Sequence, residues 1–326
     1  NAIDYMRRNI EAGVTSVRDA GGADLGVKRA VEQGLVLGPR LQISITGLSV
    51  TGGHGDAWTP SGVNISIFSN YPGRPSGLCD GVEQVRKKVR EVLRSGADVI
   101  KVHATGGVAS PTDHPDFTHF TPAELAVIVQ EATYRRGVRV MAHAQGSRGI
   151  KNAVEAGIHS IEHGIYLDEE AIELMLEHDT FLTPTLLAPV AIKEAASDPD
   201  SDYRWPEYAV RKTEEVAAAH HENMAKAYEA GVRIAMGTDS AVSPHGANLR
   251  ELGLLCEIGM TPMEAILAGT KVAAECLGWE DRLGTVEEGK LADLIVSKVD
   301  PLADVRSLED AENISLVIKD GQVVKG

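Results

Sequence analysis

Aromatic residues, cysteines and long apolar runs are all scarce in this sequence. Its 326 residues include 4 Phe, 3 Trp and 7 Tyr, and its three cysteines lie far apart, at Cys79, Cys256 and Cys276. An odd number of cysteines without CxxC spacing argues against a disulfide framework and against a cysteine-rich zinc finger. The absence of any run of 18 apolar residues excludes a membrane-spanning helix. We therefore expect no membrane partner, and we favour a cytoplasmic location.

Positive charge is also in short supply. The sequence has 32 Lys and Arg residues against 47 Asp and Glu residues, which gives a formal net charge of −15. Recognition of a phosphate backbone needs a basic face, so this balance argues against a nucleic-acid partner. Hydrophobic residues make up 43% of the chain and supply ample material for a core. The length suits one large α/β barrel of about 250 residues with an appendage.

Short β-branched runs alternate regularly with longer helical patterns along the chain. The predicted strands span residues 14–18, 41–45, 99–102, 138–142, 159–162, 180–183 and 232–236. The predicted helices span residues 22–34, 81–96, 122–136, 147–156, 168–178, 206–230, 247–258 and 262–277. Five of the junctions before a strand carry a glycine, at Gly13, Gly96, Gly137, Gly157 and Gly231. A helix that ends at glycine just before a buried strand is typical of parallel βα units.

A parallel sheet with this many repeats is either doubly wound or closed as a (β/α)₈ barrel of the TIM type. No GxGxxG follows the first predicted strand, which disfavours a nicotinamide-dependent oxidoreductase and favours the barrel. Seven strands are one too few for closure. Two later runs, 290–296 and 314–318, and the turn at 319–322 predict a β module with a hairpin. We therefore predict a barrel over residues 1–280 that lacks its first strand, and part of a small β-sandwich over residues 281–326.

Polar residues end four of the predicted strands. Lys101 and His103 follow one apolar run, and His143, His163 and Asp239 each end another. Imidazoles and a carboxylate that converge on one barrel mouth suit zinc or a similar divalent ion. Each residue alone also has a structural interpretation, such as a hydrogen-bonded core histidine or an aspartate that caps a helix. Their joint occurrence at four strand ends favours a metal site.

Several motifs occur together in one order. They are GVTSVRDAGG at 13–22, TGGHGD at 51–56, IKVHATGGV at 100–108, AHAQG at 142–146, IEHGIYLD at 161–168, GTDS with PHG at 237–246, and DRLGTVEEGKLADLIV at 281–296. With these motifs the sequence resembles the metal-dependent amidohydrolase superfamily. Within that superfamily it is similar to the group of binuclear enzymes that contains imidazolonepropionase-like and Xaa-Pro dipeptidase-like proteins.

The resemblance implies a site with two divalent ions, which we expect to be zinc. It implies that Lys101 is carboxylated by CO₂ and bridges the two ions, with His143, His163 and Asp239 as further ligands. It also implies hydrolysis of an amide bond, in a dipeptide, an N-acyl amino acid or a cyclic amide, by a metal-activated hydroxide. Asp239 would orient this hydroxide and carry its proton to the leaving amine. The expected partner is a small-molecule substrate, and a homo-oligomer is one of the assemblies left open.

Three further residues are candidates for contacts with the substrate. His54 lies in the glycine-rich motif at 51–56, Tyr166 lies in the motif at 161–168, and His245 lies in the PHG segment. The alternative for His54 is a structural turn, and the alternative for Tyr166 is a packed aromatic at the rim. His103 lies on the same strand face as Lys101, and its role stays open.

The sequence departs from the family pattern near its amino-terminal end. The family's first barrel strand carries an HxH motif that holds the more buried ion, and this sequence contains no HxH. His220 and His221 are adjacent in a predicted helix and do not replace it. We therefore expect a chain that starts after the first strand and binds the buried ion poorly. The alternative to a hydrolase is an inactive, metal-deficient fragment or a binding protein.

Overall fold

The computed structural model describes residues 2–64, 70–201 and 203–326. The helices are α1 (Ala2–Glu11), α2 (Leu25–Glu32), α3 (Val82–Arg94), α4 (Pro122–Thr133), α5 (Ser147–Glu155), α6 (Glu169–Glu177), α7 (Leu187–Ser197), α8 (Glu207–Glu229), α9 (Arg250–Glu257), α10 (Pro262–Gly269) and α11 (Lys271–Leu277). The strands are β1 (Ser16–Asp19), β2 (Arg40–Ile43), β3 (Gly47–Leu48), β4 (Val99–His103), β5 (Arg139–Ala144), β6 (Ser160–His163), β7 (Phe181–Thr183), β8 (Leu294–Ser297), β9 (Ile314–Lys319) and β10 (Gln322–Lys325).

Glycines occupy the junctions where a helix gives way to a strand. Gly13, Gly96, Gly137, Gly157 and Gly231 have φ values of 96°, 98°, 72°, 86° and 92°. Glycine adopts this left-handed backbone with little steric cost, so each junction reverses the chain within a few residues. The five predicted junctions are confirmed.

Parallel strands form an arc that follows chain order. β1 pairs with β2, and β3, β4, β5, β6 and β7 pair consecutively. The register sets His103 opposite His143, and Ala144 opposite His163. Because parallel strands end at the same edge, the arc brings these side chains to one rim.

The last predicted barrel strand is the least regular. Residues 232–236 join the arc through a single parallel bridge between Ile234 and Leu182 of β7. Leu182 N donates to Arg233 O, and Ala235 N donates to Leu182 O, both at 2.9 Å. Met236 N then donates to a carbonyl of α10 instead of extending the ladder. The segment therefore lies where a strand was predicted, with too few ladder bonds to form one.

Two helical predictions also differ from the structure. The helix predicted over 262–277 is divided into α10 and α11 at Thr270, whose φ of −125° and ψ of −87° lie outside the helical range. Helix α7, which contains Pro189, is not among the predicted helices. The proline lies in the first turn of α7, where its missing N–H costs no helical hydrogen bond.

The apolar core lies between the arc and the helices that cover it. Val102, Ala142, Ile161 and Leu182 from four neighbouring strands are completely buried in it. This layer of helices on a parallel sheet confirms the predicted α/β barrel class. Among the described residues, no helix combines the length and the apolar character needed to cross a bilayer.

The last three strands form a separate antiparallel sheet in the order β10, β9, β8. The predicted turn between β9 and β10 is confirmed, since Asp320 and Gly321 both have positive φ, of 50° and 74°. Ile314 and Val317 of β9 pack against Ile10 of α1 in one buried cluster. The boundary that we place between residues 280 and 281 stays a prediction.

Candidate active site

Lys101 is a buried cation at the rim. It is the third residue of β4 and is 6% exposed. Burial lowers the pKa of its amine, the Coulombic effects of Glu162 and Asp239 oppose that change, and Arg18 adds to it. Arg18 also forms a buried ion pair of 2.8 Å with Glu162 of β6. Lys101 therefore has both carboxylates and a guanidinium near it. Its amine loses a proton more readily than the amine of an exposed lysine does.

Four histidines form what we call the imidazole cluster: His54, His103, His143 and His163. The ring of His143 stacks on that of His54 with 4.2 Å between centroids and meets that of His163 edge-on at 4.7 Å. The ring of His103 lies 5.4 Å from that of His54 and 5.6 Å from that of His143. The structure thus brings His54 and the two predicted histidine ligands together and adds His103 to them.

Hydrogen bonds to the protein fix the tautomers of three cluster rings. His103 Nδ1 lies 3.0 Å from Leu48 O, and His143 Nε2 lies 3.0 Å from Gly106 O. A carbonyl only accepts, so both of these ring nitrogens donate. His163 Nδ1 lies 2.7 Å from the hydroxyl of Thr185, which donates its own proton to a backbone carbonyl at 2.6 Å. His163 Nδ1 therefore donates as well, and each ring keeps one nitrogen with a lone pair.

Three of the cluster rings, those of His103, His143 and His163, are also neutral at ordinary pH. Burial lowers the pKa values of His103, His143 and His163 well below the usual range, and neighbouring imidazoles and Lys101 lower them further. A metal ion needs a neutral imidazole whose other nitrogen is held by the protein. His143 and His163 meet both conditions.

Asp239 lies across the rim from β4, after the segment that bridges to β7. The residue is exposed, yet the protein around it desolvates the carboxyl and raises its pKa, while Lys101 and His54 oppose that change. The alternative that Asp239 caps a helix is wrong, because the next helix, α9, begins at Arg250 with Leu249 as its N-cap.

Two of the predicted ligands have strained backbones. His163 has a φ of 75° and Asp239 has a φ of 49°, both in the left-handed region that few non-glycine residues adopt. Such conformations persist only where the surrounding structure enforces them, and they concentrate at functional sites. The two strained residues lie at the carboxyl ends of the arc, where a barrel carries its active site.

The donor chemistry of these residues fits a divalent cation. Two tautomer-fixed neutral imidazoles, the Asp239 carboxylate and a lysine amine with a lowered pKa surround one region of the rim. Within the described residues, however, no three His, Cys, Asp or Glu side chains already converge closely enough to form a complete metal site. A protonated Lys101 amine has no lone pair to offer a metal ion.

Two predicted substrate residues lie apart from the cluster. The ring of His245 stacks on Tyr5 of α1 at 4.3 Å, and its Nδ1 lies 3.2 Å from Asn9 Nδ2. Tyr166 packs in a smaller apolar cluster with buried Val108 and Ile165. Tyr166 therefore lies on an apolar part of the rim, and His245 is held by α1.

Sequence reasoning missed several residues that support the site. His220 of α8 is buried and donates Nε2 to the carbonyls of His163 and Pro184 at 3.1 and 2.9 Å. Burial lowers the pKa of His220 to about 4, so it stays a neutral donor. Glu162 was also missed, although it directly precedes His163. His103, in contrast, was recognised in the sequence, because it lies two residues from Lys101 on the same strand face.

Comparisons with known proteins agree with this geometry. The model of the amidohydrolase family matches residues 4–324. The chain is 38% identical over 327 aligned positions to the ochratoxinase of Aspergillus niger. The alignment covers 97% of this chain and 66% of that protein. The chain thus spans just under two thirds of that relative.

Solved structures give the same result for the fold. The crystal structure of a Xaa-Pro dipeptidase with bound methionine in its active site has a TM-score of 0.88 and 36% identity, over 100% of this chain and 78% of that one. A prolidase complexed with N-methylphosphonate-L-proline has a TM-score of 0.89 and 36% identity, over 99% of this chain and 78% of that one. The predicted superfamily is confirmed: this chain belongs to the amidohydrolase family.

Proposed function

We propose that this chain carries the active site of a metal-dependent hydrolase that cleaves an amide bond in a small molecule. The observation that carries the proposal is the convergence of Lys101, the imidazole cluster and Asp239 at one rim of a parallel arc. The family match and the ochratoxinase and dipeptidase relatives support it. The substrate classes that we propose are a dipeptide, an N-acyl amino acid or a cyclic amide.

Lys101, His143, His163 and Asp239 are the residues that would hold the metal, with Lys101 carboxylated. We propose two zinc ions as the native pair. A bound divalent ion supplies Lewis acidity and a water nucleophile at neutral pH. The protein's contribution is to fix the imidazole tautomers, since the bonds to Gly106 and Thr185 leave one lone pair on each of His143 and His163.

Asp239 moves the proton in this mechanism. Its carboxylate accepts a proton from the attacking water and returns it to the nitrogen of the leaving amine. His54, at the cluster, is the best placed of the three proposed substrate contacts, with Tyr166 and His245 further out.

A hydrolysis assay with metal analysis tests the proposal. The zinc-loaded protein is incubated with Xaa-Pro dipeptides, N-acyl amino acids and cyclic amides, and the released amine is measured. We expect turnover of at least one class, and we expect His163→Asn to abolish both zinc retention and turnover. His221→Asn, an exposed neighbour of His220 on α8, is the matched control and keeps both. Zinc retention without hydrolysis of any class contradicts the proposal.

A binding protein without catalytic metal is the second candidate. The incomplete convergence of His, Cys, Asp and Glu donors among the described residues favours it. It predicts that the same protein retains no zinc after dialysis and still binds the small molecules that a hydrolase would cleave. A cytoplasmic location and assembly into a homo-oligomer stay predictions from the sequence.

A further inference from the structure

The loop of residues 104–121, between β4 and α4, contains a buried ionic group that the proposed metal site does not use. Asp113 and Lys212 of α8 are both buried, with side chains that are 1% and 8% exposed and charged atoms 3.8 Å apart. Burial of two charges is costly, because each loses its hydration. Their position beside the imidazole cluster suggests a role at the site.

Lys212 fixes the path of this loop. Its ammonium donates to the carbonyls of Gly107 at 3.2 Å and Ser110 at 2.8 Å, and to that of Asp113. One turn earlier on α8, the Tyr208 hydroxyl donates to Ala109 O at 3.2 Å. The loop from 107 to 113 is therefore wrapped around one cation, which orients the Asp113 side chain inward.

Asp113 is connected to His54 through Ser110. The Ser110 hydroxyl donates to Asp113 Oδ1, which also accepts from Gly107 N at 3.3 Å. His54 Nδ1 lies 2.8 Å from Ser110 Oγ and 3.6 Å from Asp113 Oδ2. These contacts outweigh burial and lower the pKa of Asp113 to about 2, so the residue is a carboxylate.

The direction of these hydrogen bonds determines the tautomer of His54. The single hydroxyl proton of Ser110 is given to Asp113, so Ser110 Oγ is left to accept from His54. Asp113 Oδ2, which lies 3.6 Å from His54 Nδ1, also accepts. Both neighbours require a proton on Nδ1, and Nε2 then carries the lone pair.

Gly107 makes room for the arrangement. A Cβ on Gly107 would lie 2.3 Å from His54 Cε1 and 2.9 Å from His143 Cε1, too close for any side chain. The loop backbone thus passes directly against both rings. The same loop that presents Gly106 O to His143 presents Ser110 to His54.

We propose that Ser110 and Asp113 are positioning residues that hold His54 in the tautomer with its proton on Nδ1. His54 then presents the Nε2 lone pair as an acceptor for an N–H or O–H group of the substrate. The consequence for catalysis rests on the proposed hydrolase function, whereas the tautomer itself does not. Lys212 supports both residues by fixing the loop.

The tautomer is tested by NMR on the intact protein labelled with ¹⁵N-histidine. The His54 resonances are assigned as those lost in His54→Gln, and the ¹⁵N shifts show which nitrogen carries the proton. We expect Nδ1–H in the wild type, with and without zinc. Asp113→Asn sets an N–H donor at the Oδ2 position, 3.6 Å from His54 Nδ1, so we expect a shift toward Nε2–H. A wild-type ring protonated on Nε2 overturns the inference.

Kinetics give the second readout. For the best substrate we expect Asp113→Asn to lower kcat by about tenfold or more, because a histidine held in the wrong tautomer lowers the rate of catalysis. We expect KM to stay nearly unchanged. We expect Ser110→Ala to have the same effect, and it replaces Asp113→Asn in the test if that variant does not fold. Ser110→Thr keeps a hydroxyl and is expected to retain part of kcat. The matched control is Asp116→Asn, whose carboxylate lies 2.6 Å from exposed His114 on the same loop.

The failure of this inference differs from the failure of the proposed function. A wild type with Nδ1–H but no hydrolysis of any substrate refutes the hydrolase and leaves the tautomer intact. An active wild type whose His54 tautomer and kcat are unchanged in both Asp113→Asn and Ser110→Ala refutes the positioning role alone.

Discussion

At the scale of single residues, hydrogen bonds determine the chemistry of the rim histidines, because they decide which nitrogen of each ring carries the proton. Each ring of the imidazole cluster gives one nitrogen to an acceptor of the protein, and those acceptors come from three segments: Leu48, the loop that carries Gly106 and Ser110, and Thr185. The other nitrogen of each ring is thereby kept for a ligand or a substrate. A neutral, oriented imidazole is what both a metal ion and a substrate N–H require.

Asp239→Asn separates a proton carrier from a structural aspartate. Asparagine tolerates the left-handed backbone of residue 239 as well as aspartate does, so we expect a nearly unchanged Tm. The amide neither accepts nor returns a proton, so kcat falls by about a hundredfold or more. Both quantities are measured on one zinc-loaded preparation. Asp320→Asn is the control, because its φ of 50° is similar and it lies in the β9–β10 turn. Near-normal kcat in Asp239→Asn counts against the role.

Lys101 is expected to carry a carbamate. Only a neutral amine reacts with CO₂, and burial of Lys101 lowers its pKa in that direction. After incubation with ¹³C-bicarbonate and zinc, we expect a carbamate ¹³C signal that is absent in Lys101→Ala and present in the control Lys87→Ala, an exposed lysine of α3. Lys101→Ala also loses zinc and activity, with partial recovery from short carboxylic acids. An active, zinc-loaded enzyme without the signal contradicts carboxylation.

The site residues at strand ends could be predicted from the sequence, whereas the residues that hold the site in place could not. Lys101, His143 and His163 follow apolar runs, so a period-two pattern places them at the rim. Ser110, Asp113 and Lys212 lie in a loop and on a distant helix, where no local pattern shows that they meet. Because their contacts span about a hundred residues of sequence, only the folded chain reveals them.

At the scale of elements, a side-chain cap begins four of the described helices, α2, α4, α6 and α10, and one further cap comes from a distant helix. Glu251 of α9 is completely buried, and its two oxygens accept from Leu186 N at 2.7 Å and Leu187 N at 2.8 Å, at the start of α7. This cap could not be predicted from the sequence, because donor and acceptor are far apart in the chain. It also explains why α7 begins without a side-chain cap of its own.

Glu251 makes the stability of the protein pH-dependent. Burial raises its pKa from 4.5 to about 8, although the two amides oppose the shift. Between these values the folded state holds a proton that the unfolded state has lost. The free energy of unfolding therefore falls as pH rises from about 4.5 to about 8, by up to about 1.4 kcal/mol per pH unit.

Urea denaturation at pH 5.5 and pH 7.5 measures this dependence. We expect Glu251→Gln to reduce the difference between the two pH values, because glutamine does not titrate. It also destabilises at both, since its NH₂ faces one of the two backbone N–H groups. The control Glu214→Gln, at an exposed position of α8, keeps the wild-type difference. An unchanged difference in Glu251→Gln shows that Glu251 does not titrate in this range.

At the scale of the whole molecule, the acidic composition and the imidazole cluster at the rim would attract cations in different ways. The formal charge of −15 attracts any cation weakly and does not select for a particular coordination geometry. The rim offers nitrogen lone pairs, which divalent zinc prefers and magnesium does not. The composition predicted the first effect, whereas the second depends on the arc that brings β4, β5 and β6 to one edge.

Zinc is therefore expected to stabilise the folded protein selectively. A ligand that binds only the native state adds RT ln(1 + [L]/Kd) to the free energy of unfolding, about 2.7 kcal/mol at a hundredfold excess over Kd. For a chain of this size that corresponds to a rise in Tm of several degrees. We expect the rise with zinc, its reversal by a chelator, and almost none with magnesium at the same concentration. His163→Asn removes the rise because it deletes a tautomer-fixed ligand, and His221→Asn keeps it. An equal rise with zinc in wild type and His163→Asn assigns the binding to the acidic surface and rejects the rim as the metal site.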